Sequence, residues 1–157
     1  MSIEVLCCDR MANELFQTGE EFVQKRTFRP SDVSTTQIEV TLYNDTTDAL
    51  VDGSLIGDLT TEPGGITRQT VDLDTAQITP SLNASNNYQV EFDDQTFNTE
   101  GISDDVDAYV TIVNFQSEVA GDGSPVNNLV FDGLLDQTYD LSIIDEFVLR
   151  GIGIAIN

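Results

Sequence analysis

Residues 38–45 read IEVTLYND, and their pattern repeats every two residues. Ile38, Val40 and Leu42 are apolar, and the residues between them are a glutamate and a threonine. Successive side chains of a β-strand point to opposite faces of the sheet, so this alternation predicts a strand. Isoleucine, valine, threonine and tyrosine, which are all common in strands, occur in this stretch.

Six further stretches have the same character, and turn-forming clusters of Asn, Asp, Gly, Pro and Ser separate them. They are ITRQTVDL (66–73), YQVEF (88–92), AYVTIVNF (108–115), NLVFDGLL (128–135), YDLSII (139–144) and FVLRGIGIAI (147–156). No long helical pattern lies between them, which argues against a parallel α/β sheet. The sequence therefore predicts a mainly β fold, an antiparallel β-sandwich or jelly roll.

The N-terminal segment has a different period. In MANELFQTGEEFVQKR (11–26), apolar residues recur at helical spacing, although Gly19 weakens the pattern and Pro30 ends it. Charge changes at the same place, because residues 1–30 have a net charge of −1 and residues 31–157 a net charge of −21. We therefore expect an N-terminal arm with a short helix over residues 1–30, followed by a β-sandwich domain over 31–157.

The overall charge restricts the possible partners. The chain has 28 acidic and 6 basic residues, with a net charge of −22 and a single lysine, Lys25. Such a surface repels itself at ordinary ionic strength, and molar salt screens the repulsion. The composition is therefore typical of proteins from extreme halophiles or from viruses that replicate in them. Binding to nucleic acids or to anionic membranes is excluded, because both need clustered basic residues.

The sequence offers little for catalysis. It has no histidine, so a Ser-His-Asp triad is absent, and it has no glycine-rich phosphate-binding motif. We expect neither an enzyme nor a cofactor. Asp104, Asp105 and Asp107 are weak candidates for binding a Mg²⁺ or Ca²⁺ ion, but their spacing does not match a known calcium loop.

The stretch TEPGGITRQTVDL (61–73) contains a double glycine and one of the few basic residues, Arg68. One interpretation is an anion site made of backbone N–H groups and the guanidinium. The other is structural: Gly64 and Gly65 form a turn with positive φ, and Arg68 enters a strand and pairs with a carboxylate. The alternating pattern after the glycines favours the structural interpretation.

The order of these features resembles small all-β structural proteins of tailed viruses. In that family an "ANxLL" helix, a "TLYxALYTxDPT" strand, a "GGGYARQ" turn and a final "G-L/I-x-I" strand follow one another. The matching residues here are Ala12, Asn13 and Leu15, IEVTLYND (38–45), Gly64, Gly65, Arg68 and Gln69, and GIGIAI (151–156). Ile66 and Thr67 replace the usual Tyr-Ala, and the family's tryptophan is missing.

The resemblance implies a non-enzymatic virion protein, either a head decoration or turret protein or a tail-associated protein. Together with the acidic composition, it implies a tailed virus of haloarchaea, with the chain located in the virion after assembly in the host cytoplasm. The implied partners are the major capsid protein or a tail protein, together with other copies of the chain in a homo-oligomer. The chain's size and single domain favour the head exterior.

The nearly neutral N-terminal segment is the predicted docking surface, because the rest of the chain would be repelled by an equally acidic partner. The candidate interface residues are Met11, Leu15, Phe22, Lys25, Arg26 and Arg29. Residues 147–156 are a second candidate contact, or else a central core strand. The sequence leaves two other functions open: a host-surface or glycan-binding module, and a small hydrolase with paired acids. The sugar-binding candidates are Tyr43, Tyr88, Tyr109 and Tyr139.

Overall fold

The computed structural model describes residues 1–6, 15–74, 78–82 and 88–156. Within these ranges the chain is mainly β, with two α-helices. The elements are β1 Ser2–Leu6, α1 Gln17–Phe28, β2 Gln37–Tyr43, α2 Asp45–Asp48, β3 Gln69–Asp72, β4 Ile78–Leu82, β5 Tyr88–Phe92, β6 Gln95–Asn98, β7 Asp105–Phe115, β8 Val126–Asp140, β9 Glu146–Arg150 and β10 Gly153–Ile156. In the part of the chain described, no helix is long and apolar enough to cross a membrane.

The strands form three sheets, in the orders β3-β2-β7-β8, β1-β9-β6 and β10-β5-β4. All pairings between the strands are antiparallel except that of β1 with β9, which is parallel. The predicted fold class, mainly β with antiparallel sheets and a short helix, is confirmed. Its finer form, a two-layer sandwich or jelly roll, is compatible with these sheets and stays a prediction.

The four-stranded sheet buries both of its faces. Ile38, Val40 and Leu42 point from β2 into the larger core, which also contains Phe147 of β9. Tyr43, the next residue of β2, points to the opposite face and belongs to a smaller core. That smaller core is covered by apolar side chains from the segment between β2 and β3, namely Leu50, Ile56 and Leu59. The period of two along β2 thus reflects two cores and not one buried and one solvated face.

Two of the predicted strands differ in the structure. The stretch 139–144 is not a separate strand, because β8 runs to Asp140 and a 3₁₀ turn, Leu141–Ile143, follows. The Asp140 carboxylate accepts a hydrogen bond from the Ser142 N–H, which favours that turn. The stretch 147–156 is divided into β9 and β10, which belong to different sheets. Gly151 lies between them with a φ of 71°.

The helix α1 packs directly on β8. The Phe16 N–H donates to the Val130 carbonyl at 2.9 Å, and the Thr18 hydroxyl donates to the Leu129 carbonyl at 2.5 Å. A Cβ atom on Gly19 would lie 2.0 Å from the Val130 carbonyl oxygen, so only glycine permits this approach. The glycine that weakened the helical pattern is therefore the point of contact. The described part of the N-terminal segment thus packs on the four-stranded sheet, although the charge of the chain changes near residue 30.

Candidate functional site

Arg68 lies between two carboxylates. Its Nε and Nη2 atoms donate to the two carboxylate oxygens of Glu62, at 2.7 and 2.8 Å, and its Nη1 atom donates to Glu39 at 3.0 Å. The predicted carboxylate partner is confirmed. Hydrogen bonding to Glu62 raises the pKa of the Arg68 guanidinium. For Glu62, burial raises the pKa, but hydrogen bonding and the positive charge of Arg68 together outweigh burial and lower the pKa overall. An anionic ligand at Arg68 would have to displace one of these carboxylates.

The turn before Arg68 needs only one of its two glycines. Gly65 has a φ of 91°, whereas Gly64 is not among the residues with positive φ, so the prediction was wrong for Gly64. The Ile66 N–H donates to the Pro63 carbonyl at 3.2 Å, which closes a turn over residues 63–66. In a type II turn the third residue has a positive φ, and here that residue is Gly65.

The three acidic cation candidates do not converge on one point. The Asp107 carboxylate accepts hydrogen bonds from the N–H groups of Asp45 and Thr46, at 2.6 and 3.2 Å, and so caps α2. Asp104 and Asp105 contribute backbone carbonyls, which accept from the Leu141 N–H and the Asn44 side chain. Among the described residues, no group of three His, Cys, Asp or Glu side chains is placed to hold a metal ion. The cation candidate thus gains no support.

Three of the four tyrosines named as sugar-binding candidates lie in the core. Tyr43 and Tyr109 are fully buried, and Tyr139 is 8% exposed. Tyr139 packs edge-on against Phe147 in the larger core, with ring centroids 5.3 Å apart. The side chain of Tyr88 lies outside the described part of the structure. The proposed sugar site is therefore wrong for three of its four residues, because they are core residues.

The outer surface of α1 forms a groove with the loop that follows β7. We call this surface the α1 groove. Its volume is about 590 Å³, and its lining residues are Gln17, Glu20, Glu21, Gln24, Lys25, Phe28, Arg29, Glu118 and Val119. Two apolar side chains in it face solvent, Phe28 at 80% and Val119 at 47% exposure. Exposed apolar side chains that share a concave surface are a common feature of interaction sites.

Two of the lining residues, Glu21 and Lys25, form an ion pair within α1, and both bind the loop. Glu21 and Lys25 are 2.7 Å apart, and only 12% of each side chain is exposed. The Glu21 carboxylate also accepts from the Ser117 hydroxyl at 2.6 Å and from the Glu118 and Val119 N–H groups at 2.8 and 3.3 Å. Burial raises the pKa of Glu21, but these hydrogen bonds outweigh it and bring the pKa down to about 2.

The structure places the predicted interface residues in different environments. Phe22 is buried and packs against Phe115, with ring centroids 5.6 Å apart, so it is not available to a partner. Leu15 is half-buried and bridges to Phe131 of β8. Met11 lies outside the described residues.

The three basic candidates also differ. Lys25 is held by Glu21 and by the Gln116 carbonyl, at 3.1 Å. Arg26 binds Asp74 at 2.6 Å. Arg29 pairs with Asp32 at 2.7 Å, but 66% of its side chain remains exposed. Of the predicted basic residues, Arg29 is therefore the most available to a partner.

Phe28 and Val119 are not among the interface residues predicted from the sequence. Phe28 lies six positions after the buried Phe22, which places it about 240° around the helix from that residue. It therefore lies outside the apolar stripe that predicts the helix. An aromatic residue at such a position is expected to be exposed, and this could have identified Phe28 from the sequence. Val119 had no comparable signal, because its place beside α1 depends on the hydrogen bonds that Glu21 makes to the loop.

Replacing Glu21 with glutamine is expected to lower the free energy of unfolding by about 1–3 kcal/mol at neutral pH, because charge-assisted hydrogen bonds are lost. The pKa of Glu21 is lower in the folded state, about 2, than its ordinary value of 4.5. Its contribution is therefore fully present above pH 4.5 and is lost as the pH falls towards 2. Urea denaturation in molar KCl should show a difference between wild type and Glu21→Gln that shrinks over this range.

The matched control for this experiment is Glu20→Gln, on the exposed side of the same helical turn. Its free energy of unfolding should stay within about 0.5 kcal/mol of wild type. Equal effects of the two substitutions, or a difference that does not depend on pH, would show that Glu21 does not hold the loop.

Comparison with protein-family models, with curated proteins and with solved structures gives no match for this chain. The resemblance to small structural proteins of tailed viruses thus stays a prediction that rests on four short motifs. The fold and the α1 groove are described from the chain's own residues.

Proposed function

We propose that the chain is a structural component of the particle of a tailed virus that infects halophilic archaea, and that it has no enzymatic activity. Within the particle we place it on the head exterior, as a decoration or turret protein, with the tail or baseplate as the alternative position. Its proposed partners are other copies of the chain and another virion protein, the major capsid protein or a tail protein. The N-terminal segment makes the contact.

The observation that carries this proposal is the exposure of Phe28 on a charge-balanced part of a very acidic chain. Residues 17–32 contain three acidic and three basic residues, whereas the whole chain has a net charge of −22. An acidic neighbour would be repelled by most of the surface and least repelled here. Phe28 supplies apolar area at this place, and aromatic residues are enriched at the centres of protein interfaces.

The ion pairs and hydrogen bonds of the charged residues support a structural role. Lys25, Arg26, Arg29, Arg68 and Arg150 each form an ion pair with a carboxylate. In the segment between β2 and β3, the Asp48 carboxylate accepts hydrogen bonds from the N–H and hydroxyl groups of two threonines. These ion pairs and hydrogen bonds hold neighbouring segments of the chain together, which is the role expected of a structural protein.

Virus particles provide the test of this proposal. Particles should be purified in molar KCl from halophilic cells in which the gene for this chain is expressed, and their proteins quantified by mass spectrometry. We expect the chain to be present in many copies per particle, and immunogold electron microscopy to label the head. Labelling of the tail would favour the alternative position. Absence from intact particles would contradict the proposal.

A further inference from the structure

We infer that the peptide between Asp122 and Gly123 is a modification site, at which the chain converts slowly to isoaspartate without an enzyme. This inference is independent of the proposed function. An aspartate followed by a glycine favours the conversion, because glycine has no side chain to hinder attack by its backbone nitrogen. Such pairs occur at three places in the chain: Asp52 with Gly53, Asp122 with Gly123, and Asp132 with Gly133. The structure holds these three pairs very differently.

The reaction needs no reagent other than water. The Gly123 nitrogen attacks the side-chain carbon Cγ of Asp122, so that an N–Cγ bond forms and a Cγ–O bond breaks. The oxygen leaves as water, with the hydrogen of the Gly123 N–H and the hydrogen of the carboxyl group in its acid form. The product is a cyclic imide. Water then opens the imide at either carbonyl, which gives back aspartate or gives isoaspartate, whose main chain passes through Cβ and Cγ.

The main chain at Asp122 has room for the rotation that closes the ring. Asp122 lies in the loop between β7 and β8, between Gly121 and Gly123, whose φ values are 64° and 68°. A Cβ atom on either glycine would meet nothing within 4 Å. In the part of the chain that the structure describes, the attacking Gly123 N–H donates no backbone hydrogen bond. Ring closure at this peptide therefore requires no neighbouring segment to move.

The Asp122 carboxylate makes only long contacts with the described residues. Each of its oxygens lies 3.3 Å from the Ser117 nitrogen, and one lies 3.5 Å from the side-chain nitrogen of Asn128. Ordinary N–H···O hydrogen bonds are about 2.9–3.0 Å long. The side chain can therefore turn towards Gly123 without breaking a short hydrogen bond.

The pair Asp52 and Gly53 is held against α1. The Asp52 carbonyl accepts a hydrogen bond from the Gln17 N–H at 3.0 Å, and the Asp52 carboxylate accepts one from the Gln17 side chain at 3.2 Å. The Ser54 N–H donates to the Val51 carbonyl at 2.8 Å, which closes the turn around this pair. Ring closure here would break several of these hydrogen bonds, so we expect it to be slower than at Asp122.

The pair Asp132 and Gly133 lies inside β8, where the sheet fixes the main chain. Gly133 pairs with Tyr109 of β7, and a Cβ atom on Gly133 would lie 2.6 Å from the Tyr109 ring. The Asp132 carboxylate accepts a hydrogen bond from the buried Tyr43 hydroxyl at 2.8 Å. Rotation of this peptide would open the sheet, which requires a much larger local unfolding than rotation in a loop. Asp122 is thus the least restrained of the three aspartates.

An endoproteinase that cleaves before aspartate but not before isoaspartate provides the test. The full chain is kept folded in molar KCl at neutral pH for several weeks, then unfolded and digested, and its peptides are quantified by mass spectrometry. Conversion at Asp122, Asp52 or Asp132 leaves one peptide uncut, respectively 107–131, 48–57 or 122–135. We expect the uncut peptide 107–131 to accumulate with time, several-fold faster than the other two.

Two controls separate the effect of the fold from that of the sequence. In concentrated urea the three pairs should convert at similar rates, because glycine follows each aspartate and no structure restrains it. Asp122→Glu keeps the charge but needs a larger ring, so the folded variant should lose most of the isoaspartate that enzymatic methylation detects. Equal conversion of the three pairs in the folded chain, faster conversion at Asp52 or Asp132, or no conversion at Asp122 would overturn the proposal.

Discussion

Replacing Gly19 with alanine is expected to lower the free energy of unfolding by about 2–3 kcal/mol. The new Cβ atom would lie 2.0 Å from the carbonyl oxygen and 2.9 Å from the Cα atom of Val130. Both of these are backbone atoms of β8, and they cannot move aside as the end of a flexible side chain can. In a helix interior, alanine is more favourable than glycine by about 1 kcal/mol. The variant is therefore destabilised only if the steric cost of the methyl group exceeds this gain.

The helix would have to shift away from β8 to accept the methyl group. That shift weakens the hydrogen bonds that Phe16 and Thr18 make to β8, and it disturbs the packing of Phe22 on Phe115. The measurement is urea denaturation in molar KCl. Gly57→Ala is the control, because a Cβ atom at Gly57 meets nothing within 4 Å. Its effect should stay within about 0.5 kcal/mol. A Gly19→Ala variant as stable as wild type would contradict the close packing of α1 on β8.

Replacing Arg68 with methionine is expected to cost about 2–4 kcal/mol of the free energy of unfolding. The substitution leaves the carboxylates of Glu62 and Glu39 close together without their cation. Only 24% of the Glu62 side chain is exposed, so its carboxylate cannot recover full hydration. Glu39, with 42% exposed, recovers more of its hydration, which keeps the expected cost below that of a fully buried pair.

A second substitution distinguishes two causes of the lost stability: a carboxylate left without its cation, and a loss of packing. Adding Glu62→Met to Arg68→Met should recover part of the lost stability, because no half-buried charge is then left without a partner. Arg68→Lys should be intermediate, since lysine keeps the charge but cannot form the two-pronged contact with Glu62. Arg29→Met, which breaks a more exposed ion pair, should cost about 0.5 kcal/mol in dilute protein. Equal stability of wild type and Arg68→Met would refute the structural role of Arg68.

The sequence could predict the elements that carry strong local patterns. The alternation from Ile38 to Tyr43 lies in β2, and the run at 108–115 is the greater part of β7. The carboxylate partner of Arg68 could also be predicted, because few bases are available among many acids. The identity of that partner could not, since Glu39 becomes a neighbour only through the pairing of β2 with β3.

Features that depend on distant contacts could not be predicted. β1 is a short strand, and its hydrogen-bonding partner β9 lies 144 residues further along the chain. β6 has only four residues, and three of them are polar. On α1, the apolar stripe predicts a helix but does not tell whether the chain's own sheet or a partner covers each residue. Phe22 is covered by the chain itself, and Phe28 is not.

Deletion of residues 1–30 cannot test docking, because it would also remove β1 and Phe22 of the core. Surface substitutions in the α1 groove are the suitable probe. The most direct measurement is the amount of wild-type chain and of the Phe28→Ser/Val119→Ser variant in particles purified in molar KCl. We predict many copies of the wild type and several-fold fewer of an equally stable variant. Absence of the wild-type chain, or equal incorporation of both, would contradict a particle protein held through α1.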